Sequence, residues 1–244
     1  MLHVRFRSPS GAVRHGEWTE DGVQFANETF TRDEVDILPP VEPTKIVCLA
    51  GNYLKHAHGE VPDRPSLFLK APNALAGHGD TITLPAGKDR LEYEAEVGVV
   101  IGQQCKAVPE SRAMEVVRGF THLNDLSNRD DQGREQNWVR GKAFDGSAPI
   151  GPVVATPDHV DNPTDPHIRL WQNGELKQDS EDDELIFPVP EVIAEVTKLV
   201  TLEAGDIIGM GTSGHPDPLE DGDTIEIEID GLPRLRHDVA IPER

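Results

Sequence analysis

The stretch Leu91-Glu92-Tyr93-Glu94-Ala95-Glu96-Val97-Gly98-Val99-Val100-Ile101-Gly102 alternates acidic or small residues with apolar ones. If this stretch forms a β-strand, successive side chains point to opposite faces. One face is apolar throughout: it carries Tyr93, Ala95, Val97, Val99 and Ile101. The other face begins acidic and ends small and apolar: it carries Glu92, Glu94, Glu96, Gly98 and Val100. We therefore expect the first face to pack on a core and the second to be more than a solvated surface.

Glutamates follow one another at two-residue spacing on the acidic face. Carboxylates this close repel each other unless a positive charge lies between them. Oxygen ligands in this arrangement suit a hard divalent cation such as Mg²⁺ or Ca²⁺. The alternative is a solvated acidic face, which is the default for a single Glu-x-Glu because Asp and Glu outnumber Lys and Arg by 44 to 23.

The chain as a whole is strongly acidic, with a formal net charge of −21 and a pI near 4.7. Such a surface repels phosphate backbones and anionic membranes, so the composition argues against nucleic-acid and membrane partners. The acidic residues are dispersed, and arginine outnumbers lysine. This combination is typical of halophilic proteins that are adapted to a high-salt cytoplasm.

Two features of the sequence indicate a cytoplasmic location. No apolar run approaches the roughly 20 residues that cross a bilayer, and the first residues lack the apolar centre of a signal peptide. Cys48 and Cys105 lie in apolar or strand-like contexts, which favours buried free thiols in a reducing compartment.

Short strands and turns dominate the rest of the sequence. The 22 glycines and 20 prolines are spread along the chain, which favours a mainly β (α+β) fold with a few short helices. Apolar spacing predicts a helix over residues 109–118 and another that begins at Pro190. Residues 1–43 are predicted to form a small N-terminal β appendage ending in a Pro-rich linker, followed by the main domain over residues 44–244.

Several polar and glycine-containing stretches occur in a characteristic order. They are Gly51-Asn52-Tyr53-Leu54-Lys55-His56, Tyr93-Glu94-Ala95-Glu96, Asn124-Asp125-Leu126-Ser127-Asn128-Arg129-Asp130-Asp131-Gln132, Gly141-Lys142-Ala143-Phe144-Asp145, Gly205-Asp206-Ile207-Ile208 and Gly211-Thr212. This set resembles the fumarylacetoacetate hydrolase family, in particular its acylpyruvase-like and 2-hydroxyhepta-2,4-diene-1,7-dioate isomerase-like members. The resemblance runs from about residue 45 to the C-terminus. It implies a mixed β-sandwich roll as the catalytic domain and a homodimer.

The resemblance also implies a divalent metal held by two glutamates and an aspartate, which correspond here to Glu94, Glu96 and Asp125. Mg²⁺ is the metal it favours, with Mn²⁺ or Ca²⁺ as alternatives. Three carboxylates nearly fill one side of a hard ion, and its other positions remain for water and substrate. Glu92 lies one pleat further out and is interpreted as a supporting or surface residue.

Further residues match family positions with other roles. Lys142 matches a lysine that steadies developing oxyanion charge, and Arg129 matches an arginine whose fork suits a substrate carboxylate. An ion pair with Asp130 or Asp131 is the competing interpretation of Arg129. The resemblance implies four more substrate-binding positions: Tyr53, Lys70, Gln132 and Thr212.

The catalytic histidine of the family corresponds to His56, which would position or deprotonate a water. Acylpyruvase-type members place a glutamate three residues later, where this chain has Gly59. Glu60 follows one residue further on and can still reach His56 on a helix or tight turn. If Glu60 does not reach it, hydrolysis is less favoured than isomerisation, decarboxylation or dehydration.

By this resemblance, the chain is an enzyme that acts on small 2-oxo acids or β-diketo acids, with C–C bond hydrolysis as the favoured reaction. Decarboxylation or enol/keto isomerisation through an enolate would use the same site, and such an enzyme would serve aromatic catabolism. A dehydratase of 2-keto-3-deoxy sugar acids is an alternative on the same fold.

Two other classes of function remain open at this point. His56, His58 and Glu60 could ligate a transition metal in a cupin-like enzyme. The acidic face could also be a structural feature of a non-enzymatic, Ca²⁺- or salt-stabilised β-domain.

Overall fold

The computed structural model of the chain describes residues 1–54, 61–162, 165–180, 185–214 and 216–242. Its strands are β1 Leu2–Arg7, β2 Val13–Thr19, β3 Gly22–Phe25, β4 Glu28–Phe30, β5 Asp36–Leu38, β6 Ile46–Ala50, β7 Ser66–Lys70, β8 Leu75–Ala76, β9 Thr81–Thr83, β10 Leu91–Glu92, β11 Ala95–Ile101, β12 Val117–Asn124, β13 Ser127–Asn128, β14 Ala148–Ala155, β15 Ile168–Gln172, β16 Glu175–Asp179, β17 Ile207–Gly209, β18 Thr224–Ile229 and β19 Leu235–Ala240. Its α-helices are α1 Arg129–Gln132, α2 Val139–Lys142 and α3 Val189–Leu199. Short 3₁₀ segments occupy Arg32–Glu34, Pro72–Ala74, Glu110–Val116 and Pro157–His159.

A 12-stranded mixed sheet forms the main layer. The path through ten of its strands is β4-β3-β2-β1-β14-β12-β11-β17-β6-β7, with β5 beside β1 and β8 beside β14. The N-terminal strands extend this sheet, because β1 pairs antiparallel with β14 in the register Leu2↔Ala155. The predicted appendage over residues 1–43 is thus continuous with the sheet of the main domain.

A five-stranded sheet, in the order β16-β15-β18-β19-β9, covers the centre of the large one. Contacts between β11 and β15, between β12 and β18 and between β14 and β19 join the two layers. Alternate residues of β18 point inward, where Ile225, Ile227 and Ile229 are fully buried. The structure is therefore mainly β with mixed sheets and a few short helices, which confirms the predicted fold class.

The stretch 91–102 forms two strands rather than the single predicted one. β10 pairs with β13, whereas β11 pairs with β12 and β17, and the chain leaves the strand conformation at Tyr93-Glu94 between them. The break arises because the two segments follow different partner strands. Both faces of the stretch are buried, so the alternative of a solvated acidic face is wrong.

Other local predictions agree with the structure. α3 begins next to Pro190, and Cys48 and Cys105 are buried free thiols. The helix predicted over residues 109–118 is a 3₁₀ segment, Glu110–Val116. α3 has 11 residues, and no helix within the described ranges is long and apolar enough to cross a membrane.

His167, the residue before β15, contacts one carboxylate on β16 and one directly after β18. Its Nε2 lies 2.6 Å from Asp179 and its Nδ1 lies 2.9 Å from Asp230. Burial alone would lower the pKa of His167, but hydrogen bonds to the two aspartates outweigh it and raise the pKa above 6.5. The protonated His167 therefore stabilises the fold through its two aspartates. This stabilisation is fully present below about pH 6.5, and it is lost as the pH rises through the higher folded-state pKa.

We accordingly expect His167→Gln to lower the free energy of unfolding more at about pH 5.5 than at about pH 8.5, on either side of the unfolded-state pKa. Urea denaturation of both proteins at the two pH values measures this difference. An equal loss at both values would mean that His167 stabilises the sheet without its charge.

Candidate active site

Three buried carboxylates converge where β11 and β12 lie side by side. Glu94 lies in the break before β11, Glu96 lies on β11, and Asp125 directly follows β12. One oxygen from each of Glu94, Glu96 and Asp125 lies within 4.8 Å of the others. Their exposed fractions are 8%, 1% and 0%, so the group is enclosed by protein.

Main-chain and amide hydrogen bonds lock this geometry. The Asp125 amide donates to the Glu94 carbonyl at 2.8 Å, and the Glu94 amide donates to Asn124 Oδ1 at 2.9 Å. The side-chain amide of Asn124 donates through Nδ2 to His237 Nε2 at 2.9 Å. Burial lowers the pKa of His237 to about 4 and so keeps this acceptor neutral. The site thus depends on a contact between the two sheets.

Gly209 on β17 makes room for Glu96. A Cβ at this position would lie 2.4 Å from Glu96 Oε2 and 2.7 Å from Leu123 Cδ2. Both distances are below any ordinary carbon contact, so the carboxylate is seated directly against bare backbone.

Two cations face the carboxylates. Lys142, at the end of α2, contacts Glu94 and lies 2.5 Å from Asp125 Oδ2 and 2.6 Å from Ser127 Oγ. Arg129, which begins α1, lies 2.5 Å from Glu94 and 2.6 Å from Glu92. The site therefore places positive charge beside the acidic group.

Arg129 does not form the ion pairs proposed as its competing role. Asp131 pairs with Lys88 at 2.6 Å, and Asp130 accepts from the backbone of Asp89 at 2.7 Å. Arg129 Nη1 instead donates to Gln132 Oε1 at 2.8 Å. This arrangement points the guanidinium at the carboxylate cluster.

The compensation of charge is unequal across the cluster. Burial alone would raise the pKa of Glu94, but Lys142 and Arg129 outweigh it and lower the pKa to about 2. Burial, reinforced by the charges of Asp125 and Glu94, raises the pKa of Glu96 well above its usual range. Glu96 Oε2 is buried without a hydrogen-bond partner in the described part of the chain. The negative charge of Glu96 is thus not balanced by a neighbouring cation among the described residues. A divalent cation bound by the carboxylate oxygens would balance it, so the residues present suit the metal that the sequence predicts.

A cavity of about 130 Å³ opens beside Glu94 and Glu96. Its polar wall comprises Arg129, Gln132, Lys142 and Thr212. Its apolar wall includes Leu49, Phe68 and Trp138, and the rings of Phe68 and Trp138 meet edge to face at 5.5 Å. The cavity therefore has a polar side that carries two cations and an apolar side.

Two residues predicted to bind substrate do not line this cavity. Lys70 is fully buried behind Asp125, with Nζ 2.6 Å from Asp125 Oδ1. Tyr53 is 1% exposed and pairs through its backbone with Leu185. The sequence pattern locates both near the site but does not say on which side of the carboxylates they lie, and their role in substrate binding stays a prediction. His56, His58 and Glu60 lie outside the described residues.

Other residues of the site were missed from the sequence. Ser127 donates to Glu94 Oε2 at 3.0 Å, and Gln178 exchanges hydrogen bonds with both backbone groups of Ala95. Phe68 and Trp138 form part of the cavity wall. Ser127 falls inside the stretch 124–132, which was a usable signal, whereas Gln178 comes from a distant strand and carries no local signal.

Comparisons with known proteins show to which family the chain belongs. The profile described as fumarylacetoacetate (FAA) hydrolase C-terminal matches residues 45–240. An uncharacterised protein of Archaeoglobus fulgidus is 38% identical over 93% of this chain and 92% of its own. A mitochondrial oxaloacetate tautomerase of Homo sapiens is 38% identical over 81% of this chain and 92% of its own.

Solved structures show the same architecture. A 5-carboxymethyl-2-hydroxymuconate delta-isomerase from Mycobacterium smegmatis superposes with a TM-score of 0.91 at 32% identity and covers 100% of both chains. A maleylpyruvate hydrolase from Sphingobium sp. SYK-6 superposes with a TM-score of 0.84 at 30% identity, over 99% of this chain and 100% of its own. The profile match over most of the chain and the similarity to these relatives establish that this protein belongs to the fumarylacetoacetate hydrolase family of hydrolases and isomerases.

Proposed function

We propose that this enzyme acts on small 2-oxo acids or β-diketo acids and that its reaction requires a divalent metal. The observation that carries the proposal is the convergence of Glu94, Glu96 and Asp125 beside a cavity whose polar wall is cationic. Such a cavity suits an anionic substrate whose neighbouring oxygens chelate a metal.

Glu94, Glu96 and Asp125 would hold the metal, for which Mg²⁺ is our proposal and Mn²⁺ the nearest substitute. When bound, this ion supplies Lewis-acid polarisation of the substrate's oxo group. A donor set made only of carboxylate oxygens would suit a hard cation of this kind.

Arg129, Gln132 and Thr212 would bind and orient the substrate carboxylate. The Arg129 side chain is pre-oriented by Glu92 and Gln132, so little conformational entropy is lost on binding. Lys142 would place its ammonium beside the oxygen on which enolate charge develops. The cavity beside the carboxylates suits a short carbon skeleton.

An enolate is common to isomerisation, decarboxylation and C–C bond cleavage, so the site supports all three. We propose keto–enol interconversion as the basic reaction, because it moves one proton between carbon and oxygen and needs no attacking water; His56 is the proposed base that takes this proton. C–C hydrolysis requires in addition an activated water, for which His56 and Glu60 are the proposed groups. We further propose a homodimer in the cytoplasm of a high-salt cell, with a role in aromatic catabolism.

We expect the purified protein, in high-salt buffer with Mg²⁺, to turn over at least one of oxaloacetate, an acylpyruvate or a 2-hydroxy-dienoate. Absorbance of the enol or dienol form follows tautomerisation, and chromatography of the products separates cleavage from isomerisation. Excess EDTA should abolish turnover, and added Mg²⁺ should restore it, because the carboxylates cannot polarise a substrate oxygen themselves.

Glu96→Gln should behave like the EDTA-treated protein. Glu115→Gln, a change at an exposed carboxylate paired with Arg112, is the matched control and should behave like wild type. Absence of turnover of all three substrates would contradict the proposed activity, and turnover that survives EDTA would contradict the metal requirement.

A further inference from the structure

Lys70 is an unusual residue because it is charged, completely buried and outside the cavity. It ends β7, where it pairs with Ile46 on β6, and its exposed fraction is 0%. Burial of an ammonium is strongly unfavourable unless oxygen atoms surround it. Its neighbours therefore indicate what the residue does.

The Lys70 ammonium lies in a cage of oxygens. It donates to the carbonyl oxygens of Ser147 at 2.8 Å and Leu126 at 3.3 Å, and also to that of Lys142. Its distance to Asp125 Oδ1 is 2.6 Å, without hydrogen-bond alignment, so this contact is an ion pair. The cage thus draws on two separate segments, 125–126 and 142–147.

These two segments carry two of the residues on which the site depends. Lys70 faces Oδ1 of Asp125, and Lys142 faces Oδ2 of the same carboxylate. Lys70 also bonds to the main chain of Lys142 itself. A single buried ammonium therefore connects the Asp125 carboxylate to the backbone that places Lys142, with no contact to the cavity.

We propose that Lys70 is a positioning residue: it fixes the Asp125 carboxylate and the backbone of Lys142 relative to each other. The inference rests on the proposed function, since it takes Asp125 as a ligand of the divalent metal. Two roles for Lys70 predict opposite results. If Lys70 acted only by its charge, its removal would strengthen cation binding, because it would remove a repelling ammonium. If it positions Asp125, its removal weakens cation binding.

The experiment compares Mn²⁺ binding by wild type, Lys70→Met and Lys45→Met, using calorimetry or the electron paramagnetic resonance signal of free Mn²⁺. Lys45→Met is the matched control because Lys45 pairs with the buried carboxylate Asp206, which precedes β17 at the end opposite Gly209. We expect Lys70→Met to raise the Kd for Mn²⁺ by about 10- to 100-fold, as is typical when a partner of a metal ligand is lost. Lys45→Met should leave the Kd unchanged.

Circular dichroism and thermal unfolding establish that each variant is folded at the assay temperature. If Lys70→Met does not fold, Lys70→Gln is measured instead: its amide can still donate to part of the cage, and the same direction of change is expected. An unchanged or lower Kd in a folded variant overturns the inference and leaves the proposed metal site standing. If wild type itself binds no Mn²⁺, both the inference and the proposed metal requirement fall.

Discussion

Replacing Lys142 by methionine is expected to lower kcat by about 10²- to 10³-fold, the usual cost of losing one group that stabilises oxyanion charge. The Lys142 ammonium lies on the cavity wall and contacts Glu94, Asp125 and Ser127. Methionine fills a similar volume without the charge. Since the substitution also removes a cation from between two carboxylates, the affinity for Mn²⁺ should stay the same or increase.

The measurement is kcat at saturating Mg²⁺, together with the Kd for Mn²⁺. This pair of readouts separates Lys142 from Lys70, whose loss should raise the Kd. Lys198→Met removes an exposed lysine that pairs with Glu195 on α3, and it serves as the control. A Lys142→Met enzyme within tenfold of the wild-type kcat would exclude Lys142 from the reaction.

Replacing Gly209 by alanine is expected to reduce activity by about 10²-fold or more, because a shift of about 1 Å in a functional group can have this effect. The new methyl group would lie 2.4 Å from Glu96 Oε2 and 3.2 Å from Cys48 Sγ. Glu96 cannot keep its position beside such a group. Overpacking should also lower the free energy of unfolding by about 1–3 kcal/mol.

Activity at saturating Mg²⁺, the Kd for Mn²⁺ and urea denaturation together test this expectation. Gly133→Ala is the control, since Gly133 has an α-helical φ of −69° and its Cβ would meet nothing closer than Arg129 O at 3.6 Å. A Gly209→Ala protein with wild-type activity and metal affinity would show that the observed position of Glu96 is not required.

Much of the site could be predicted from the sequence because its residues lie in short local patterns. Glu94 and Glu96 are adjacent on one face, and Arg129 and Gln132 follow Asp125 within one continuous stretch. The order of these stretches pointed to the family. The burial of the acidic face, by contrast, depends on which strands and side chains cover it.

The sequence by itself determined what repeats at short range: the alternation that buries Tyr93 and Val97, the isoleucine face of β18, and the order of the polar stretches. Only the tertiary structure decided which strands pair, including the break at Tyr93-Glu94 and the junction of β1 with β14. It also decided that Lys70 lies behind Asp125 and that Gly209 lies against Glu96. The physical reason is that side-chain direction follows from the local backbone period, whereas contacts between distant segments follow from the packing of the whole chain.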